Sequence, residues 1–337
     1  MTVPSPQTHP SPRKVWLLGA ALVGLALLLS AAGVAIGSTG LDSLVALHAD
    51  PVAWQIVWDI RLPRTWGAWA AGALLGLAGA VAQGLFRNPL AEPYLLGSSA
   101  GAGLCMALML TIGLPWAVAE GWWARMGLTG AAFVGALGGV SLTLVLARGA
   151  THTLRLLLAG VVVGVVLGAL TQLMMVWSGE AWRVMQAFML GNTALLGWDA
   201  CAVLALALLV CLPAALVLAR VLDALSLGED TARTLGVPLG RTRVALVAVM
   251  ALATAAAVAQ AGLVAFVGLA APHLVRPWSG ALHGRLLLGA SLMGAVLLTG
   301  ADVLSRCLLA PQELPVGVLT AVVGGVYLLL VLYRRPT

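Results

Sequence analysis

Charged residues are scarce in this chain. They make up 9% of its 337 positions, where an ordinary soluble domain carries about 25%. That shortage excludes a soluble globular enzyme, a disordered chain and a typical nucleic-acid binder, all of which need more polar surface. Lysine is all but missing, with Lys14 its single instance. No GxxxxGK[ST] segment occurs, so the chain has no phosphate-cradling loop and is not its own P-loop ATPase. The four cysteines, Cys105, Cys201, Cys211 and Cys307, form no CxxC pair and read as small packing residues. The five histidines lack ligand spacing, so no metal or cofactor site is expected. Gly97-Ser98-Ser99-Ala100-Gly101 fits GxSxG. A serine enzyme also needs a histidine within hydrogen-bond reach, and every histidine here falls in a tail, a loop or a span end. Small residues opening a tightly packed helix explain that pattern better.

Hydrophobic residues fill 61% of the chain, and they come in long unbroken runs. A membrane barrel would alternate apolar with polar residues instead. The fold class is therefore an all-α polytopic membrane protein. Residues 1–14 are polar and rich in Pro, Ser and Thr, and read as a disordered cytosolic tail. Residues 15–335 read as one integral membrane permease domain. The run Val15 to Gly37 is longer than the core of a cleaved signal, about 7–15 residues, and is kept as a span. Nine more runs follow, near 65–84, 94–113, 127–147, 154–177, 195–219, 244–261, 263–281, 286–305 and 315–333, which makes about ten transmembrane helices. With both termini in the cytosol, thirteen of the 18 basic residues lie inside. Arg61, Arg64, Arg125, Arg183 and Arg306 lie outside, and this bias satisfies the positive-inside rule. Glycines recur at small-xxx-small spacing, as in Gly72/Gly76 and Gly135/Gly139, a signal for close helix packing.

The acidic residues sit at span ends or in loops, which weakens a gradient-driven carrier, since carriers place acids or histidines inside their spans. Three segments go beyond hydrophobicity. Arg61-Leu62-Pro63-Arg64 puts two cations on one helix face at the outer side, where they could pair with acids of a protein partner. Arg87-Asn88-Pro89-Leu90-Ala91-Glu92-Pro93 reads as a rigid inner turn. The longest inner loop, within about 220–243, predicts a short polar helix from Glu229 to Leu235, stopped by Gly236 and Pro238.

These segments, with Gly262-Leu-Val-Ala-Phe-Val-Gly-Leu-Ala-Ala-Pro-His-Leu-Val-Arg276 and Glu313-Leu-Pro-Val-Gly-Val-Leu-Thr320, resemble the FecCD-type permeases of iron-siderophore, haem and cobalamin ABC importers. The likeness covers about residues 15–335. It implies a membrane subunit that pairs with a second permease copy, as a homodimer, in the bacterial inner membrane. It also implies two ATP-binding subunits, which use ATP and Mg, and a periplasmic substrate-binding protein. By that resemblance Leu227, Gly228, Glu229, Arg233, Leu235 and Gly236 couple to the ATPase, and Arg61, Arg64 and Arg306 dock the binding protein. Trp177, Glu180, Trp182, Arg183 and Asn192 are candidates for the pathway or its gate. The expected cargo is a ferric siderophore, with cobalamin or haem as alternatives. A gradient-driven carrier is the competing reading from another class.

Overall fold

The computed structural model describes residues 12–37, 51–112, 122–149, 153–176, 179–280 and 282–333. Residues 1–11 of the expected tail, Trp177, Arg334 and Arg335 lie outside them. The described chain is helical. The order is α1 (Pro12–Ala35), α2 (Pro51–Ile56), α3 (Leu62–Phe86), α4 (Ser98–Thr111), α5 (Trp122–Leu146), α6 (Thr153–Val176) and α7 (Gly179–Leu190). There follow α8 (Trp198–Val217), α9 (Ala219–Ser226), α10 (Glu229–Thr234), α11 (Leu239–Ala261), α12 (Val267–Ser279), α13 (His283–Cys307) and α14 (Val316–Tyr333). Helix α1 starts at Pro12, so Arg13 and Lys14 belong to its first turn and not to the tail.

Seven helices among the described residues are long and apolar enough to cross a bilayer. Where ten spans are expected, α4, α12 and α14 are the shorter ones. Two of them are short for a physical reason. The run expected at 94–113 opens with a tight 3-10 turn, Pro93–Leu96, before α4 begins. The run expected at 263–281 opens with irregular backbone after Gly262, before α12 begins. Non-helical backbone inside such a bundle must find partners within the protein. Here the two irregular stretches supply them: the Glu92 carboxylate accepts the Phe266 N–H at 3.3 Å, and the Tyr94 hydroxyl donates to the Val264 carbonyl at 2.9 Å.

Helix α3 is the centre. Its span is 94% buried, against 17% for α1, and α13, α11, α12, α8 and α1 all pack on it. A helix apolar all round is one enclosed on every side. The α3 sequence also keeps its side chains small, so neighbours come close. A methyl group on Gly72 or Gly76 would collide with the backbone of Gly294 or Ala290 on α13, and one on Gly79 with Gly268 at the head of α12. The second small-residue pair behaves alike: Gly135 and Gly139 of α5 lie against the backbone of Gly101 and Gly97 at the start of α4. The Gly97–Gly101 pattern is therefore a packing seam. The Arg61–Arg64 segment is no loop. A π-helical turn, Val57–Arg61, joins α2 to α3 without a break, and Pro63 sits in the first turn of α3, where its missing N–H costs little.

The seam predicts opposite outcomes for adjacent glycines. Gly138 faces open space, whereas Gly139 faces backbone. Gly138→Ala should be neutral or mildly stabilising, through helix propensity worth up to about 1 kcal/mol. Gly139→Ala should destabilise by about 1–3 kcal/mol through overpacking. Thermal unfolding of the two variants in one detergent reads the difference.

Candidate functional site

Among the described residues, three polar regions stand out in the apolar bundle. The first joins the C-terminal ends of α1 and α13 to the N-terminal end of α3. Asp302 of α13 is fully buried. Its carboxylate accepts from Arg64 Nε at 2.9 Å and from the Thr193 hydroxyl at 2.6 Å, and it pairs with Arg306 one turn along its own helix. Arg64 also reaches Glu313 at 2.8 Å. Arg306 continues to the Gly33 carbonyl of α1 at 2.7 Å. Arg61 donates to the Ala35 carbonyl, also of α1, at 2.8 Å. Arg64 and Arg306 thus balance Asp302 and Glu313, and Arg306 and Arg61 also donate to carbonyls left over at the C-terminus of α1.

The three arginines expected to dock a binding protein, Arg61, Arg64 and Arg306, are instead engaged within this chain. All three are buried, at 4%, 6% and 1% exposure, and they hold this chain's own helix ends. Their position at one end of the bundle agrees with the sequence reading; their accessibility does not. Sequence reasoning missed Thr193, Glu313 and above all Asp302 as their partners. The signal was present, since Asp302 and Arg306 are four residues apart, a helical pairing distance.

The second region is a cleft of about 390 Å³ beside the C-terminal end of α7. Asp59, Asn192, Asp199 and Gln260 face it, with Met106 and Phe188 among its apolar walls. Its rim is knitted by backbone. The Asn192 N–H donates to the Ala261 carbonyl and the Leu263 N–H to the Phe188 carbonyl, both at 2.9 Å. The Asn192 side chain accepts the Ala194 N–H at 2.7 Å. Of the pathway candidates, the cleft takes Asn192. Trp182 and Arg183 are on the exposed side of α7 and do not line it. Glu180 belongs to α7, and its side chain lies outside the described set, as does Trp177. Trp198 turns instead to Trp58: its indole N–H donates to the Trp58 carbonyl at 3.0 Å, with ring centroids 5.5 Å apart.

The third region is the platform at the opposite end. The short helix expected at Glu229–Leu235 is α10, Glu229–Thr234. Gly228 before it and Gly236 after it hold φ of 114° and 79°, values that favour glycine. Leu227 and Leu235 stand at its two ends, 67% and 63% exposed. Arg233 points outward and, among the described residues, pairs with its neighbour Asp230 at 3.3 Å. Glu229 turns inward. It accepts from buried Arg243 of α11 at 2.5 Å, lies 3.4 Å from the Thr153 hydroxyl of α6, and 3.7 Å from Arg87 at the end of α3. One carboxylate therefore ties the exposed helix to three long ones. Burial alone would raise the Glu229 pKa, but the bond and charge of Arg243, with Arg87 and Arg233 beyond, outweigh it and hold the carboxyl below its ordinary range. Nearby, Asp223 of α9 accepts the His283 N–H at 2.7 Å and the ring Nδ1 at 2.8 Å, capping α13.

Residues 19–334 match the model of the FecCD transport family. The chain is 37% identical over 324 residues to the hemin transport system permease protein HmuU of Yersinia pestis, covering 95% of this chain and 96% of that protein. It is 39% identical over 295 residues to the vitamin B12 import system permease protein BtuC of Citrobacter koseri, covering 83% of each. Its fold superposes with a TM-score of 0.83, at 30% identity, on the inward-facing structure of an ABC transporter assigned to the metal-chelate type, covering 94% of this chain and all of that one.

Three outcomes follow from the polar regions. Asp302→Ala leaves two buried guanidinium groups without their shared anion and should cost about 3–5 kcal/mol. Asp230→Ala, on an exposed pair, should leave the unfolding midpoint in detergent unchanged. Because the Glu229 carboxyl is lowered in the folded chain, its contribution is complete at neutral pH. It is lost as pH falls below the usual carboxylate range. The stability gap between the native chain and Glu229→Gln should therefore close on acidification.

Proposed function

The chain belongs to the FecCD transport family, and from that footing we propose that it forms one half of the membrane pathway of an ATP-driven importer of metal chelates in the bacterial inner membrane. It is a permease subunit, and ATP hydrolysis falls to separate subunits. The observation that carries the reading is the whole-length match to permeases named for hemin and vitamin B12. Those names make haem and cobalamin the first cargoes to try, with a ferric siderophore beside them.

The geometry fits this role at both ends. The α10 platform presents Leu227 and Leu235 as apolar contacts for an ATPase, while Glu229 fastens that platform to α3, α6 and α11. In this reading the two leucines touch the partner and Glu229 is a positioning residue that passes the displacement on. The cleft of Asp59, Asn192, Asp199 and Gln260 is one wall of the path, completed by a second copy of the chain. A bulky, polar chelate suits a wall of amides, acids and thioethers better than a tight site of fixed charge. A periplasmic binding protein would approach the outer end through surfaces other than Arg61, Arg64 and Arg306.

The test is uptake in proteoliposomes that hold the chain with its ATPase and binding protein. Labelled haem, cobalamin and a ferric siderophore are offered separately. Uptake of one chelate that stops without ATP supports the reading; uptake that persists without the ATPase, driven by an ion gradient, overturns it. Leu227→Asp with Leu235→Asp should lower ATPase recruitment by tenfold or more, since each apolar side chain contributes about 1.5–3 kcal/mol when buried. Glu229→Gln should leave recruitment intact and lower the uptake obtained per ATP.

A further inference from the structure

A second depression, an apolar groove of about 820 Å³, runs along the bundle between α1, α12 and α13. Leu18, Leu22, Val275 and Leu292 are among its walls. Gly19 and Gly24 line it on the α1 side, where a methyl group on either would stand in open space. Its composition changes at one end. There Trp16 and Trp278 border it, 80% and 45% exposed, together with Arg285. Arg285 is the single charged residue of the lining and makes no ion pair or hydrogen bond to any described residue. Arg13 and Lys14 occupy the first turn of α1 at that same end. The end is the platform side, because Arg285 stands two residues beyond His283, which Asp223 caps.

Groove, tryptophans and cation together describe one ligand chemistry. Tryptophan settles at the level of lipid headgroups, with acyl chains on one side and water on the other. Basic pockets between helices on the cytosolic side attract anionic headgroups. A helix of another protein is a poorer occupant: Gly19 and Gly24 are five residues apart, not the four that would let a second helix approach along one face. We propose that this groove is a binding site for an anionic phospholipid, with its acyl chains between α1 and α13 and its phosphate on Arg285. A zwitterionic lipid can fill the apolar part but gains nothing net from the arginine.

The test uses the full chain in bilayers with lipids brominated on the acyl chain, which quench nearby tryptophan. The quenching lost on Trp278→Phe is the signal of Trp278. Brominated phosphatidylglycerol should quench that signal at about one-fifth the content needed for brominated phosphatidylcholine, the factor set by one arginine near an anionic surface. Arg285→Gln should abolish the preference and leave both lipids equal. Gly19→Leu, which fills the groove without touching the charge, should raise the phosphatidylglycerol content required. Equal quenching by the two lipids in the unaltered chain would overturn the site, as would a preference that survives Arg285→Gln. So would a Trp278 signal that neither lipid quenches, which would mean that protein covers the groove.

Discussion

A helix enclosed on every side can be approached only as closely as its own side chains allow. In this chain α3 meets that constraint by placing glycines where its neighbours cross it. Gly72, Gly76 and Gly79 let α13 and α12 rest on its backbone, and the remaining helices arrange themselves around the pair so formed. Association inside a bilayer has no hydrophobic drive to draw on, because lipid tails are as apolar as leucine. Close backbone contact replaces it, through dispersion between atoms at near-optimal separation. The central helix thus sets the spacing of the bundle, and the two ends of the bundle inherit it.

Each end carries a carboxylate that gathers groups distant in sequence. At one end Asp302 collects Arg64, Arg306 and Thr193 and is fully buried. At the platform end Glu229 collects Arg243, Arg87 and Thr153 and is a quarter exposed. The difference in burial suits a difference in task. A fully buried, charge-balanced cluster is costly to break and holds one arrangement. A partly exposed one is easier to break. The buried cluster fixes the end of α3 to α13 and α1, and the partly exposed one ties the platform helix to α3, α6 and α11.

The irregular stretch before α12 borders the cleft at Ala261 and Gly262, and it packs on the irregular stretch before α4. Both interrupt an apolar run, and both find partners in Glu92, Tyr94 or the end of α7. Interrupted helices let the chain beside Asn192 and Gln260 line the cleft without leaving its backbone unsatisfied. The membrane thus supplies both the limit on the fold and the reason for its exceptions.

Much of this was legible in the residues alone. Scarce charge and long apolar runs determine an all-helical membrane protein, because in lipid only helices and closed barrels satisfy their backbone and barrel strands would alternate apolar with polar residues. The small-residue pairs announce the two packing seams, and the Gly228–Gly236 frame announces the platform helix, since those glycines are needed where φ is positive. The family likeness rests on the same motifs. Burial was not legible. Arg61, Arg64 and Arg306 look like surface charges in sequence, and only the folded chain shows Asp302 and the carbonyls of α1 closing over them. Glu229 likewise reads as part of a polar surface helix, although its partners come from three other elements. Composition and periodicity decide which segments enter the membrane, as these are properties of single helices. The partner of a charge depends on which helix ends meet in space, and that was decided by the tertiary structure.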